Sequence, residues 1–177
     1  NYYKELLEKH KEGLICTSAC MGSMVNQHLL DGNIELAYEE AKFYKELFGD
    51  DFYVEIQNHF LEKDKMILEH APKMAKMFDA KLVATNDIHY LKREHAIAHN
   101  VLLHIRDTSA ANAGKTDIHK LRYGKDQFYY KSTEEMQELF KDHPEAISNT
   151  LEVADKCNFE LQLGKIFMPS YEIPKES

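Results

Sequence analysis

Apolar residues fall along this chain in two alternating spacings. From Tyr3 to Glu12, Leu6 and Leu7 sit among good helix formers until Gly13, which predicts a short helix. Gly13-Leu14-Ile15-Cys16-Thr17 is an apolar run of strand length, expected to be buried on both faces. Ser18 to Gly22 is a small-residue turn, Ser23 to Leu30 a short helix, and Asp31-Gly32 a break. Asn33 is placed to cap the next helix, whose stripe of Ile34, Ala37, Tyr38, Ala41, Tyr44, Lys45 and Phe48 recurs at helical spacing up to Gly49. Phe52 to Gln57, rich in aromatic and β-branched residues, is a second strand. Met66, Ile67, His70, Met74, Met77 and Phe78 share one helical face and predict a core stripe, with Pro72 expected to kink or restart that helix. Lys81 to Thr85 is a third strand.

Strand, helix, strand, helix, strand at this spacing predicts parallel βα units with right-handed crossovers. A further helix is expected from about Lys92 to Ile105, then a long polar loop to Asp126 without periodicity. Gln127 to Tyr130 is a short extended piece. Ser132-Thr133-Glu134-Glu135 is a capping box that opens a helix to about Lys141. Pro144 sits in the first turn of another, running to about Cys157. Phe159 to Leu163 alternates weakly, and Pro169 and Pro174 mark an extended linker.

Composition narrows the class. The chain has 177 residues, 44% of them hydrophobic, enough for a real core and against disorder. Its net charge of -8 argues against backbone-driven nucleic-acid binding by this piece alone. Nothing in it is apolar for long enough to span a membrane. The start, Asn1-Tyr2-Tyr3-Lys4, has no initiator Met and no signal-peptide core, and reads as an excised fragment. The three cysteines Cys16, Cys20 and Cys157 cannot all pair, which favours a reducing, cytoplasmic setting over a disulfide framework.

Ten histidines justify a search for ligands. In a βα sheet, functional groups gather just past the carboxyl ends of the strands. Cys20, Asn58-His59 and Asp87-Ile88-His89 occupy those places by order alone. Asp-x-His sets a carboxylate beside an imidazole, a donor pair suited to zinc or manganese, and a thiolate at Cys20 favours zinc. The plainer alternatives are an Asx turn at Asp87 and an inert small residue at Cys20. Glu55 lies between apolar Val54 and Ile56, as a buried ligand or as the outward-facing member of an alternating strand; the expected cover on both sides of the strand favours a buried polar role. His95 and His99 share a helix face but have no local carboxylate, so an exposed helix is the better reading. Lys120, Arg122 and Lys125 beside Tyr123 read as solvated charge rather than a phosphate site. No Walker loop, dinucleotide fingerprint, His-Glu-x-x-His or Gly-x-Ser-x-Gly occurs.

Several landmarks together carry a family resemblance. They are Gly13-Leu14-Ile15, Thr17-Ser18-Ala19-Cys20-Met21-Gly22, Phe52 to His59, Leu82 to Tyr90 and Ala98 to Leu103. Downstream stand Asp126 to Tyr129, Glu134-Glu135-Met136, Pro144-Glu145-Ala146 and Asn149 to Glu152. In order, along nearly the whole chain, they resemble the amino-terminal region of the bacterial replicative DNA polymerase III alpha subunit. The resemblance implies an α/β fold: residues 1–105 as the carboxyl-terminal part of a polymerase and histidinol phosphatase (PHP) βα barrel, 106–126 as a polar loop, and 127–177 as a strand, two helices and a linker toward the palm. It implies metal positions at Asp87, His89 and Cys20, with the family's first ligands upstream of Asn1 and its polymerase aspartates downstream of Ser177. It implies zinc or manganese at the PHP site and magnesium at the polymerase site of the parent, with DNA, deoxynucleoside triphosphates and other replisome subunits as its partners. The fragment alone is expected to be metal-poor and unable to polymerise. A stand-alone metal-dependent phosphoesterase and a non-catalytic interaction module are the competing classes. A barrel missing its first strands exposes an edge at Leu14 to Thr17, so the fragment is expected to cover it with Asn1 to Glu12 or to self-associate.

Overall fold

The computed structural model describes residues 2–106, 120–166 and 168. Most of the expected polar loop (107–119) and the expected linker (169–177) lie outside the described residues. The described chain is α/β: a three-stranded, all-parallel sheet in the order β1-β2-β3, with helices packed around it. The strands are β1 (Cys16–Thr17), β2 (Phe52–Ile56) and β3 (Lys81–Ala84). Cys16 pairs with Phe52, and Tyr53 to Ile56 run alongside Lys81 to Ala84. The helices are α1 (Tyr2–His10), α2 (Met24–Leu30), α3 (Ile34–Phe48), α4 (Glu62–Met77), α5 (Ala96–Arg106), α6 (Thr133–Leu139) and α7 (Pro144–Lys156).

β2 is central, and all five of its residues are buried. Covered on both faces, it reads as an unbroken apolar run except at Glu55. Val25 and Leu29 of α2, Ala37 and Ala41 of α3, and Ile67, Ala71 and Met74 of α4 form the core with it. The small alanines allow close approach of the helix backbones. α7 packs against β3, where Asn149 Nδ2 donates to the Leu82 carbonyl at 2.7 Å. Tyr53 Oη donates to Glu152 of α7, which also takes Lys81 Nζ at 2.5 Å. On the opposite rim no strand lies beyond β1 among the described residues. A groove of about 280 Å3 runs beside it, lined by Tyr3, Cys16, Thr17, Val25 and Tyr44 among others. α1 lies on α3 through Tyr3 Oη–Tyr44 Oη (3.0 Å) and Lys4–Glu40 (2.7 Å).

Several local expectations need correction. β1 is two residues long and only half-buried, with Leu14 exposed, because an edge strand has a neighbour on one side only. α4 runs through Pro72 as one helix. Met77 on that helix is 65% exposed whereas Met74 is 1%, so the core stripe is narrower than its spacing implied. Asn33 precedes α3 without a side-chain cap, whereas Ser23 caps α2 and Ser132 closes the expected capping box on α6. Phe159 and Leu163 are exposed and form no strand.

Candidate functional site

The three loops leaving the carboxyl ends of the parallel strands share one backbone feature. Each turns through a non-glycine residue in the left-handed region: Ala19 (φ 57°) after β1, Phe60 (φ 58°) after β2 and Asp87 (φ 47°) after β3. Such conformations persist only where the surroundings over-determine them. A polar side chain does this in each loop. Asn26 of α2, buried, donates to the Ala19 and Cys20 carbonyls at 3.0 Å each. The buried Asp64 carboxylate accepts the amides of His59 (2.8 Å) and Leu61 (2.9 Å) at the start of α4. Asn86 holds the third loop, its Nδ2 donating to the Tyr129 carbonyl at 2.8 Å.

A carboxylate ties these strand ends together. Glu55 Oε2 accepts Thr17 Oγ1 at 2.6 Å, and Oε1 accepts Gln57 Nε2 at 2.9 Å and the Thr85 hydroxyl. The Glu55 amide donates to Ser18 Oγ at 2.8 Å. The group is 9% exposed, so its role is buried and polar, as its place between Val54 and Ile56 suggested.

Asp87 and His89 lie together at the mouth of the third loop. Their side chains retain 32% and 28% exposure, and His89 Nδ1 stands 3.9 Å from Asp87 Oδ1. The closer contact is to the Asp87 backbone carbonyl, at 2.7 Å. A carbonyl only accepts, so Nδ1 carries the proton of this contact. A carboxylate and an imidazole, donor types that divalent cations take, thus stand next to each other at this strand end. Cys20 stands in the first loop, its Sγ close to Gly22, and is half-buried. Among the described residues no three His, Cys, Asp or Glu side chains converge as a metal-holding group. Cys20 is thus not drawn into a closed set with Asp87 and His89.

The surroundings of His89 were less legible. Phe128, buried, stacks on His59 (4.0 Å between ring centres) and meets His89 edge-on (4.9 Å). The Phe128 carbonyl accepts the amides of His89 (2.8 Å) and Tyr90 (3.2 Å). Tyr123 and His99 complete the ring cluster, with His99 stacked on Tyr123 and edge-on to His89. His99 therefore packs near the candidate pair, while His95 is exposed. Lys120, Arg122 and Lys125 are exposed. His59 is buried, and Nε2 faces the Asn86 carbonyl at 3.2 Å. Burial lowers its pKa, so the ring is neutral, Nε2 donates, and Nδ1 is left buried without a partner. Lys131 is buried too, and its pKa is lowered by burial. Its ammonium donates to Asn86 Oδ1 (3.1 Å) and to the Gln127 carbonyl. Sequence position flagged His59, but no short-range signal pointed to Lys131 or Phe128, which come from the far side of the polar loop.

The parallel βα arrangement of the described residues is in keeping with what comparisons with known proteins find. Residues 1–59 match the PHP domain family. Over almost its whole length the chain is also homologous to one stretch of DNA polymerase III alpha subunits. It is 42% identical to that subunit of Campylobacter jejuni over 183 aligned positions, which take in 98% of this chain. It is 40% identical to the Borreliella burgdorferi subunit across 98% of the chain, and 36% identical to that of Treponema pallidum across 99%. The chain spans about 15% of the length of these relatives. Among the described residues no helix is long and apolar enough to cross a membrane.

Proposed function

We propose that this chain is the portion of a replicative DNA polymerase III alpha subunit that supplies the closing ligands of a PHP metal site. On this reading residues 1–105 are the carboxyl-terminal part of a PHP barrel, and 127–177 lead toward the palm. Asp87 and His89 are the ligand pair, and Cys20 is a third position, recruited when the upstream ligands are present. The observation that carries the proposal is the Asp87–His89 pair itself. Its imidazole is locked by Nδ1–H to the Asp87 carbonyl, with Nε2 free to bind, in a segment homologous to those subunits along 98% of the chain.

A divalent cation held there, zinc or manganese, supplies Lewis-acid chemistry at a phosphoester. The chain's own part is to present one carboxylate and one imidazole in fixed orientation. Polymerisation, with its magnesium, DNA and deoxynucleoside triphosphates, belongs to the longer polypeptide, as do contacts with other replisome subunits, in the cytoplasm. The isolated chain is expected to hold metal weakly and substoichiometrically.

The test is elemental analysis and zinc titration of the longer polypeptide carrying this sequence. Asp87→Ala with His89→Ala is expected to abolish binding at the PHP site, and Cys20→Ser to weaken it. Unchanged zinc stoichiometry in the double variant would overturn the assignment.

A further inference from the structure

The loop that carries Asp87 and His89 is held less by its own strand than by residues 127–131. Asn86 is the junction. Its side-chain oxygen accepts from Lys131 Nζ (3.1 Å), its side-chain nitrogen donates to the Tyr129 carbonyl (2.8 Å), and its backbone carbonyl accepts from His59 Nε2 (3.2 Å). Both oxygens and the side-chain nitrogen of that residue are thereby engaged. Lys131 is the unusual member. It is 7% exposed, yet the groups its ammonium donates to, Asn86 Oδ1 and the Gln127 carbonyl, are uncharged. The ammonium also stands 4.6 Å from the Tyr129 ring, while the charges of Glu135 and Asp126 act on it without a hydrogen bond among the described residues. Burying an ammonium with no carboxylate in hydrogen-bonding reach is costly. A methionine of similar length would fill the space more cheaply if packing were the only requirement.

We infer that Lys131 is a positioning residue: through Asn86 it fixes the Asp87–His89 loop in its ligand-presenting geometry. One nitrogen bridging Asn86 Oδ1 and the Gln127 carbonyl pins the exit of β3 against the 127–131 segment. This keeps the Phe128 carbonyl under the amides of His89 and Tyr90. The inference rests on the metal reading of Asp87 and His89 for its purpose, but the mechanical claim stands apart from it.

The experiment uses the full chain as wild type, Lys131→Met, Lys131→Arg and Met74→Ala. The last is a core variant remote from the loop that controls for general destabilisation. In metal-free protein, amide exchange at His89 and Tyr90 and the ring-nitrogen shifts of His89 are read by NMR. Lys131→Met is expected to speed exchange at both amides by about tenfold beyond the Met74→Ala control. The His89 ring is expected to lose its single-tautomer signature in the same variant. Zinc titration supplies the opposing sign. Removing a nearby positive charge would by itself tighten cation binding, whereas loss of positioning weakens it by about tenfold or more. Should Lys131→Met fail to fold, Lys131→Arg is read in the same way, since its bulkier planar fork cannot reproduce the position of the ammonium between the two oxygens. Exchange and tautomer matching the Met74→Ala control, or tighter zinc binding, would overturn the inference. If the wild type takes up too little zinc to titrate, as weak binding by this chain allows, the exchange and tautomer data alone decide the positioning claim.

Discussion

Replacing Glu55 by Gln should destabilise the fold, although it removes a buried charge and keeps the shape. The carboxylate receives three side-chain donors, from Thr17, Gln57 and Thr85, on the strand and loop residues of all three strand ends. An amide offers one oxygen and one NH2. If the NH2 replaces Oε1, it faces the Gln57 amide and the Thr85 hydroxyl; if it replaces Oε2, it faces Thr17. The Thr17 hydroxyl also accepts the Ala19 amide at 3.2 Å, so reversing it disturbs the first loop as well. Net hydrogen bonds to charged groups contribute about 1.5–3 kcal/mol each. Losing one, partly offset by the relief of burying a neutral group, gives an expected cost of about 1–3 kcal/mol. Glu55→Leu strands all three donors and should cost more. Urea unfolding at neutral pH, followed by circular dichroism with a common m-value, measures both. A Glu55→Gln variant as stable as the wild type would refute the claim that the three donors are directed at a carboxylate.

Three further outcomes follow from the packing and the charges. Phe128→Ala removes a buried ring between His59 and His89 and should cost about 3–5 kcal/mol in urea unfolding, with faster exchange at the His89 amide. Met74→Ala should cost about 2–5 kcal/mol, whereas Met77→Ala, at an exposed position, should stay within about 0.5 kcal/mol; thermal unfolding distinguishes the two. Glu152 is held down to about 2 by hydrogen bonds from Lys81 and Tyr53, below its ordinary value of 4.5. A carboxyl with a lowered folded pKa stabilises fully above its unfolded value and loses that contribution as the pH falls through the folded value. Acid titration should therefore show stability lost between about pH 4.5 and pH 2 that is absent in Glu152→Gln.

What could be read in advance follows the range of the forces involved. The parallel order came from the spacing of Leu14, Phe52 and Leu82 runs between helical stripes, a short-range pattern that burial preserves. The capping box at Ser132 and Glu135 was legible because both bonds close within one turn. Asp87 and His89 stood out because topology places loops after strand ends together. The shortfall at β1 was not legible, since an edge and a buried strand can share one apolar run. Met77 was misjudged because helical spacing fixes a face but not how wide the neighbouring helices cover it. Lys131 and Phe128 were missed because their partners lie some forty residues away, and a lysine in a polar stretch carries no mark of burial.

The two rims of the sheet behave differently as docking edges. On β3 the side chain of Asn149 already occupies the Leu82 carbonyl, and α7 stands across that flank. Among the described residues no strand lies beyond β1, and a groove runs beside it. Strand pairing through a single receptive rim joins two copies and then stops, because the joint uses the receptive rim of both. With α7 across its β3 flank, the three-stranded sheet of the described residues offers one edge for a further strand and no route to open-ended growth.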